Sequence, residues 1–416
     1  MKLTIENVAK IKRANILIDG ITVLAGENNT GKSTIGKILY CIYSSFNNLE
    51  NKMLMERKRG VFRTLFRHVY ASSDELVPYW DLSEEILRLD NKDDLKKLLS
   101  SKKIDINEDS VLADILKYMN FDSKQLERLV VREQFESEFK EQFLPIDILD
   151  NLYSEINLQI KDQNIKLKFS KKETIIESKI KLYKKGIYID NPFLLDKIEK
   201  TNSKQILNDM NLFGYLLTTN AESHEEYMRN ILSSTLKENE GSLIDSALNK
   251  ERMEVFLNTI KKTIGGDFYE KEDKFIFLEN NQFELELSNL STGIKSFAIL
   301  LKLLENNEID EKSIIILDEP EVHLHPKWQL KYAEILVLLQ KEFNLNIVLT
   351  CHSPYFINAV EVYAAKYCIA DKCKYYLADI DDDNKAFFED VTTNTEKIYK
   401  KLAEPLRYLN ELMYEI

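Results

Sequence analysis

Gly26-Glu27-Asn28-Asn29-Thr30-Gly31-Lys32-Ser33-Thr34 is the stretch that decides the fold. It fits G-x-x-x-x-G-K-[ST], a loop whose backbone N–H groups cradle phosphates while its lysine reaches the outer ones. Its flanks agree. Ile21 to Ala25 reads as a short buried strand, and Ile35, Ile38, Leu39, Ile42, Tyr43 and Phe46 recur at helical spacing behind the loop. Strand, loop and helix in that order aim a helix N-terminus, with its unpaired amides and positive dipole end, at an anion. Lys32 is then the counter-charge of the outer phosphates of a nucleoside triphosphate, and Ser33 offers its hydroxyl to Mg2+.

Two later stretches extend the site. Ser313 to Leu317 reads as a buried strand ending in Asp318-Glu319. An acid at the carboxyl end of a central strand faces the ligand crevice of an open α/β sheet. Asp318 is therefore expected to partner Mg2+, and Glu319 to orient or deprotonate the attacking water. Glu321 follows as a structural or dimer-contact carboxylate. Upstream lies Leu290-Ser291-Thr292-Gly293-Ile294-Lys295, where Ser291 caps a helix whose apolar face runs Ile294, Phe297, Ala298, Leu301 and Leu304. A serine cap and Gly293 leave amides free at a helix N-terminus, suited to a phosphate. Downstream, Asn346 to Thr350 reads as another buried strand, followed by Cys351-His352-Ser353-Pro354. There Ser353 is the N-cap and Pro354 the first residue of the next helix.

Taken together, these motifs resemble those of ABC-type P-loop ATPases. Leu290 to Lys295 stands where that family carries its signature sequence, which completes the nucleotide site of a second subunit. The resemblance thus implies a homodimer that closes on ATP, or a higher oligomer built from it. It also implies that His352, at the strand end, contacts the γ-phosphate. Within the family, Glu319-Pro320-Glu321 with Leu324-His325-Pro326, followed by Thr350-Cys351-His352-Ser353-Pro354, is similar to the OLD (overcoming lysogenization defect) group. These ATPases are related to SMC and double-strand-break-repair ATPases and are common in bacterial anti-phage systems. The similarity covers residues 1–48 and about 265–370 well, and Cys351 stands where the group often has threonine. OLD nucleases carry a Toprim domain after the ATPase; none is expected here. Gln142 is a candidate for the glutamine with which ABC ATPases sense Mg2+ and the γ-phosphate, an ordinary surface glutamine being the other reading. Related repair ATPases place basic residues near the nucleotide before their second strand, where this chain has Lys12 and Arg13; a solvated turn is the alternative.

The expected fold class is α/β: an ABC-type ATPase head, a mixed sheet with a P-loop core, formed by residues 1–48 and 263–416. A largely helical insertion, 49–262, splits it. Inside the insertion Ile156, Leu158, Ile160, Ile165, Leu167 and Phe169 alternate with polar residues, so 154–190 is expected to be a β-hairpin or small sheet packing on the head, and 203–262 to return to helix. There is no sustained heptad run, so the long coiled-coil arm of SMC proteins is not expected. Asp379, Asp381, Asp382 and Asp383 read as a hairpin tip rather than a metal site. Thr395 to Ile416 reads as an amphipathic helix that Pro405 kinks or splits.

Composition bounds the rest. With 11 Gly and 7 Pro in 416 residues, the chain has far less of either than the usual shares of about 7% and 5%, as a helix-rich fold requires. The net charge of −12 argues against a uniformly basic nucleic-acid-binding surface. Basic residues do cluster, at Lys52, Arg57, Lys58, Arg59, Arg63 and Arg67, and along the hairpin from Lys161 to Lys185. Solvated faces and a nucleic-acid or acidic partner are both open readings of them. Cys41, Cys351, Cys368 and Cys373 show no paired framework, which fits a reducing cytoplasm, and the last two are expected to be packing residues. With a strand-like start no signal peptide is expected, and no apolar run nears the roughly 18 residues of a membrane span. His323, His325 and His352 suit phosphate-sensing and structural roles better than zinc. The expected function is an ATP-hydrolysing switch subunit of an anti-phage system, controlling a separately encoded effector such as a nuclease or toxin. The alternative is a DNA-repair or chromosome-associated SMC-like ATPase that binds DNA itself.

Overall fold

Runs of Ile, Val and Leu without polar alternation are stable only where helices cover both faces of a sheet. The computed structural model, which describes residues 1–69, 77–89, 91–102, 109–145, 152–178, 180–197, 221–233, 243–271, 274–280, 282–309 and 313–415, places these runs side by side. The chain divides into two compact units: Met1–Asn47 with Phe135–Lys200 and Ser223–Ile416, and Asn48–Gln134 with Thr201–Glu222.

The first unit opens with the antiparallel pair β1 (Lys2–Val8) and β2 (Ile11–Leu17), then β3 (Ile21–Gly26), which runs through the loop into α1 (Lys32–Phe46). The second unit holds α2 (Leu49–Val69), α3 (Val77–Leu87), α4 (Lys92–Ser101), α5 (Asp109–Met119) and most of α6 (Ser123–Phe139). Val61, Phe62, Leu65, Leu82, Ile86 and Ile115 form its own apolar core. Returning to the first unit, β4 (Ser154–Ile160), β5 (Gln163–Phe169) and β6 (Thr174–Ser178) are antiparallel, and β7 (Ile187–Ile189) precedes a 3-10 turn over Pro192–Lys197. After α7 (His224–Ser233) and α8 (Leu243–Ile264), β8 (Gly266–Lys271), β9 (Lys274–Glu279) and β10 (Phe283–Glu286) make a separate three-stranded sheet. Then come α9 (Thr292–Glu305), β11 (Ile314–Asp318), α10 (Pro326–Phe343), β12 (Asn346–Cys351) and α11 (Pro354–Lys366). β13 (Cys373–Ile380), β14 (Ala386–Asp390) and α12 (Glu396–Glu415) complete the order.

One 11-stranded mixed sheet runs β6-β5-β4-β1-β2-β14-β13-β3-β12-β11-β7. From β13 to β7 every pairing is parallel, so the carboxyl ends of β13, β3, β12, β11 and β7 share one edge, where an open α/β sheet binds ligands. The apolar runs occupy these strands: Ile315, Ile316, Leu317, Ile347, Val348 and Leu349 are all fully buried. The expected α/β head with a mixed sheet and P-loop core is therefore the observed fold.

The boundaries of the insertion differ from expectation. Residues 135–200 and 223–262 lie in the unit that holds the P-loop, and only 48–134 with 201–222 form the other. The reason is strand pairing. β4 pairs antiparallel with β1, so the hairpin extends the head's own sheet instead of packing on it, while β7 pairs in parallel with β11 at the opposite edge. α8 joins in as well, with Met253, Phe256, Ile260 and Ile264 buried in the main core. Residues 203–220 and 234–242 of the expected helical return lie outside the described residues. Asp381 to Asp383 do sit at the tip between antiparallel β13 and β14, where Lys12 pairs with Asp381 at 2.7 Å. α12 is one helix with Pro405 inside it, not two. Cys373 is buried, but Cys368 is exposed.

Candidate nucleotide site

The loop after β3 is shaped by backbone conformations that favour glycine and asparagine. Asn29, Gly31 and Gly26 have φ of 62°, 81° and 149°. At Gly26 a Cβ would lie 2.4 Å from the Ala378 carbonyl oxygen, so no other residue fits between β3 and β13. Thr30 closes the loop by donating to the Glu27 carbonyl at 2.7 Å. Glu27, Asn28 and Asn29 are exposed around it, and Thr34 continues α1. Lys32 is only 4% exposed and donates to the Gly26 and Glu27 carbonyls at 3.0 and 2.7 Å. Burial lowers its pKa, and the carboxylates of Glu319 and Asp318 oppose that shift.

Asp318 ends β11 under α1 and is the point on which the site converges. Its Oδ1 accepts from Ser33 Oγ at 3.1 Å and from the Thr350 hydroxyl, and its Oδ2 accepts from Tyr188 Oη at 3.0 Å. Glu319 turns out of the strand with φ of 50°, its N–H held by the Thr350 side chain at 3.0 Å and the Thr350 carbonyl at 3.1 Å. His352, at the end of β12, brings Nδ1 to 3.5 Å from Glu319 Oε1. That proximity draws Glu319 below the usual carboxylate range and holds the His352 imidazole above its ordinary value. Glu319 is thus ionised at neutral pH, as a group that orients or deprotonates water must be. Glu321 is buried and does something else: its Oε1 accepts from the His352 and Ser353 amides at 2.8 and 3.2 Å, which anchors the turn carrying His352.

Ser291 caps α9, its Oγ accepting from the Ile294 amide at 3.4 Å, and stays exposed. A Cβ on Gly293 would meet the Trp328 ring at 2.8 Å, so glycine lets α10 pack against the start of α9. Lys295 of the same motif points inward, its ammonium 2.6 Å from Asp196. Two expected residues are not gathered here. Gln142 is exposed in the turn after α6, its amide bonded to the Phe139 carbonyl at 3.0 Å, and it is not among the groups on Asp318. Arg13 is 73% exposed on β2, 3.9 Å from Glu6. The histidines also separate: His323 meets the Phe193 ring edge-on, and His325 caps α10 by accepting from the Lys327 amide.

The structure adds groups that the sequence reasoning missed. Tyr188 and Thr350 share Asp318 with Ser33, and behind Tyr188 a buried His224 lies between Glu138 (2.6 Å) and Asp190 (3.0 Å). One signal was available. Gly186-Ile187-Tyr188-Ile189-Asp190 is a short apolar strand ending in an acid, the same pattern as Ile314 to Asp318.

The sequence profile of the AAA ATPase domain matches residues 1–357. Two curated relatives are similar over shorter stretches. The chain is 31% identical to the Retron Ec83 probable ATPase of Escherichia coli over 97 residues, 21% of this chain and 17% of that protein. It is 31% identical to the Retron Vc95 probable ATPase of Vibrio cholerae serotype O1 biovar El Tor over 91 residues, 19% of this chain and 17% of that one. The matched stretch thus spans 17% of the length of either relative. Among solved structures, the SMC head domain from Thermotoga maritima superposes with a TM-score of 0.41 at 11% identity, covering 94% of this chain and 98% of that one. Among the described residues no helix is long and apolar enough to cross a membrane.

Proposed function

Because the chain belongs to the AAA ATPase domain family, its enzymatic class is that of an ATPase, and we propose that it works as a cytoplasmic, dimeric, ATP-driven switch. The Gly26–Thr34 amides and Lys32 hold the phosphates of ATP. Ser33 and Asp318 hold Mg2+, which supplies charge neutralisation at the phosphates, and hydroxyl and carboxylate oxygens are the hard donors that ion takes. Glu319 positions the attacking water, His352 meets the γ-phosphate, and Ser291 with Gly293 serve the site of a second copy. The observation that carries this reading is the 3.1 Å approach of Ser33 Oγ to Asp318 Oδ1, two groups far apart in sequence that meet at the mouth of a phosphate loop.

The finer proposal is that the switch controls a separately encoded effector, a nuclease or toxin, in anti-phage defence. It is supported by the OLD-like motifs and by similarity to two proteins named as retron ATPases. Direct DNA binding is less well supported on α2, where Lys58 and Arg59 of the basic cluster are buried. Two substitutions test the chemistry. Lys32→Ala should abolish ATP binding, measured with a fluorescent analogue. Glu319→Gln should still bind ATP, hydrolyse it about 10²–10³ times more slowly, and accumulate as a closed dimer in gel filtration with ATP. Unchanged turnover in Glu319→Gln would remove Glu319 from the mechanism.

A further inference from the structure

A tyrosine hydroxyl costs free energy to bury unless something accepts from it. Tyr188 is fully buried, and what accepts from it is Asp318 Oδ2 at 3.0 Å. The placement is built in from several directions. β7 pairs with β11 so that Tyr188 lies beside Ile316, on the face from which Asp318 also projects two residues later. On that face α1 comes close enough that a Cβ at Gly36 would stand 2.9 Å from Ile316 Cγ2 and 3.3 Å from the Tyr188 ring. The phosphate-loop helix thus keeps a glycine where the tyrosine passes beneath it. Beyond the ring, His224 packs at 4.5 Å between centroids. Its two nitrogens are fixed by Glu138 and by Asp190, the second of which is two residues along the chain from Tyr188. Lys37 of α1 adds a charge near Asp190.

We propose that Tyr188 is a positioning residue for the Mg2+ partner Asp318: by occupying Oδ2 it fixes the carboxylate so that Oδ1, the oxygen next to Ser33, is the one presented to the ion. This rests on the reading of Asp318 as an Mg2+ partner. Oδ1 collects the Ser33 and Thr350 hydroxyls, but once an ion competes for Oδ1 only a bond on Oδ2 still holds the carboxylate against a half-turn that would exchange its two oxygens. The Tyr188 hydroxyl prevents the exchange. Outer groups that orient a metal ligand are commonly worth 10–100-fold in metal affinity.

The test is Tyr188→Phe, which keeps the ring and removes only the hydroxyl. The reading is the Mg2+ concentration giving half of the Mg2+-dependent thermal stabilisation by a non-hydrolysable ATP analogue, with no turnover involved. We expect it to rise about tenfold, while the analogue binds equally well in EDTA and the unliganded melting temperature stays close to that of the parent. In an Asp318→Asn background the same substitution should add nothing. A half-point within about twofold of the parent, or an equal effect in the Asp318→Asn background, would overturn the proposal. So would a Tyr188→Phe chain that fails to fold, since the hydroxyl would then be a structural group. If the parent itself shows no Mg2+-dependent stabilisation, the failure lies with the Asp318 reading and not with Tyr188.

Discussion

His224 is a buried imidazole with a carboxylate at each nitrogen, and that arrangement fixes its charge. Burial alone would lower its pKa, but the hydrogen bonds it donates to Asp190 and Glu138 outweigh it and push the group up to about 9. In the unfolded chain the value is about 6.5. The stabilisation is therefore complete below about pH 6.5 and is lost as pH rises through about 9. At about 1.4 kcal/mol per unit, it amounts to about 3 kcal/mol. Urea denaturation at pH 6.5 and pH 9.5 measures it. The parent should lose about 3 kcal/mol more than His224→Gln over that interval, and parallel losses in the two proteins would mean that the imidazole is neutral in the fold.

At the scale of elements, α2 changes the meaning of the basic cluster. Arg57 donates to the carbonyls of Met119 and Phe121 at the end of α5, where a cation complements the helix dipole. Lys58 reaches Glu84 at 2.7 Å with its ammonium 4.4 Å from the Trp80 ring centroid, and Arg59 pairs with Glu56 at 2.6 Å. The middle of that run is an internal clamp, while Arg63 and Arg67 stay exposed. Arg57→Ala should thus cost the Asn48–Gln134 unit about 1.5–3 kcal/mol, seen as an earlier transition in thermal or urea melting. Unchanged melting would return Arg57 to the surface reading. The contrast explains what the sequence could tell. Gly26 to Thr34, Asp318, the Ser291 and Ser353 caps and the β4–β5 alternation follow local rules of loop, strand end and helix start, and each is where those rules put it. β7 was only faintly legible: its apolar run ends in an acid, but it is three residues long, and its place beside β11 depends on a partner far along the chain. The same non-local pairing hid Tyr188, the sheet role of β4–β6 and the true limits of the second unit. Charge clusters mislead for a related reason, since nothing local says which face of a helix is covered.

On the scale of the whole molecule, one short segment joins the two halves of the chemistry. Ile187–Lys197 holds Asp318 through Tyr188 at one end and, through Asp196, the buried Lys295 of the Ser291 helix at the other. In the proposed dimer Asp318 serves the subunit's own nucleotide, whereas Ser291 serves the partner's. Composite sites of that kind are the account's central claim, and mixing two inactive variants tests them most directly. Ser291→Arg should disable a subunit as a partner only, and Lys32→Ala should disable it as a nucleotide holder only. A mixed dimer then retains one intact site, so equimolar mixing should restore about a quarter of the parental ATPase rate if the two sites act independently. Mixed dimers that form, shown by differently tagged subunits eluting together, and yet hydrolyse no ATP would contradict the claim.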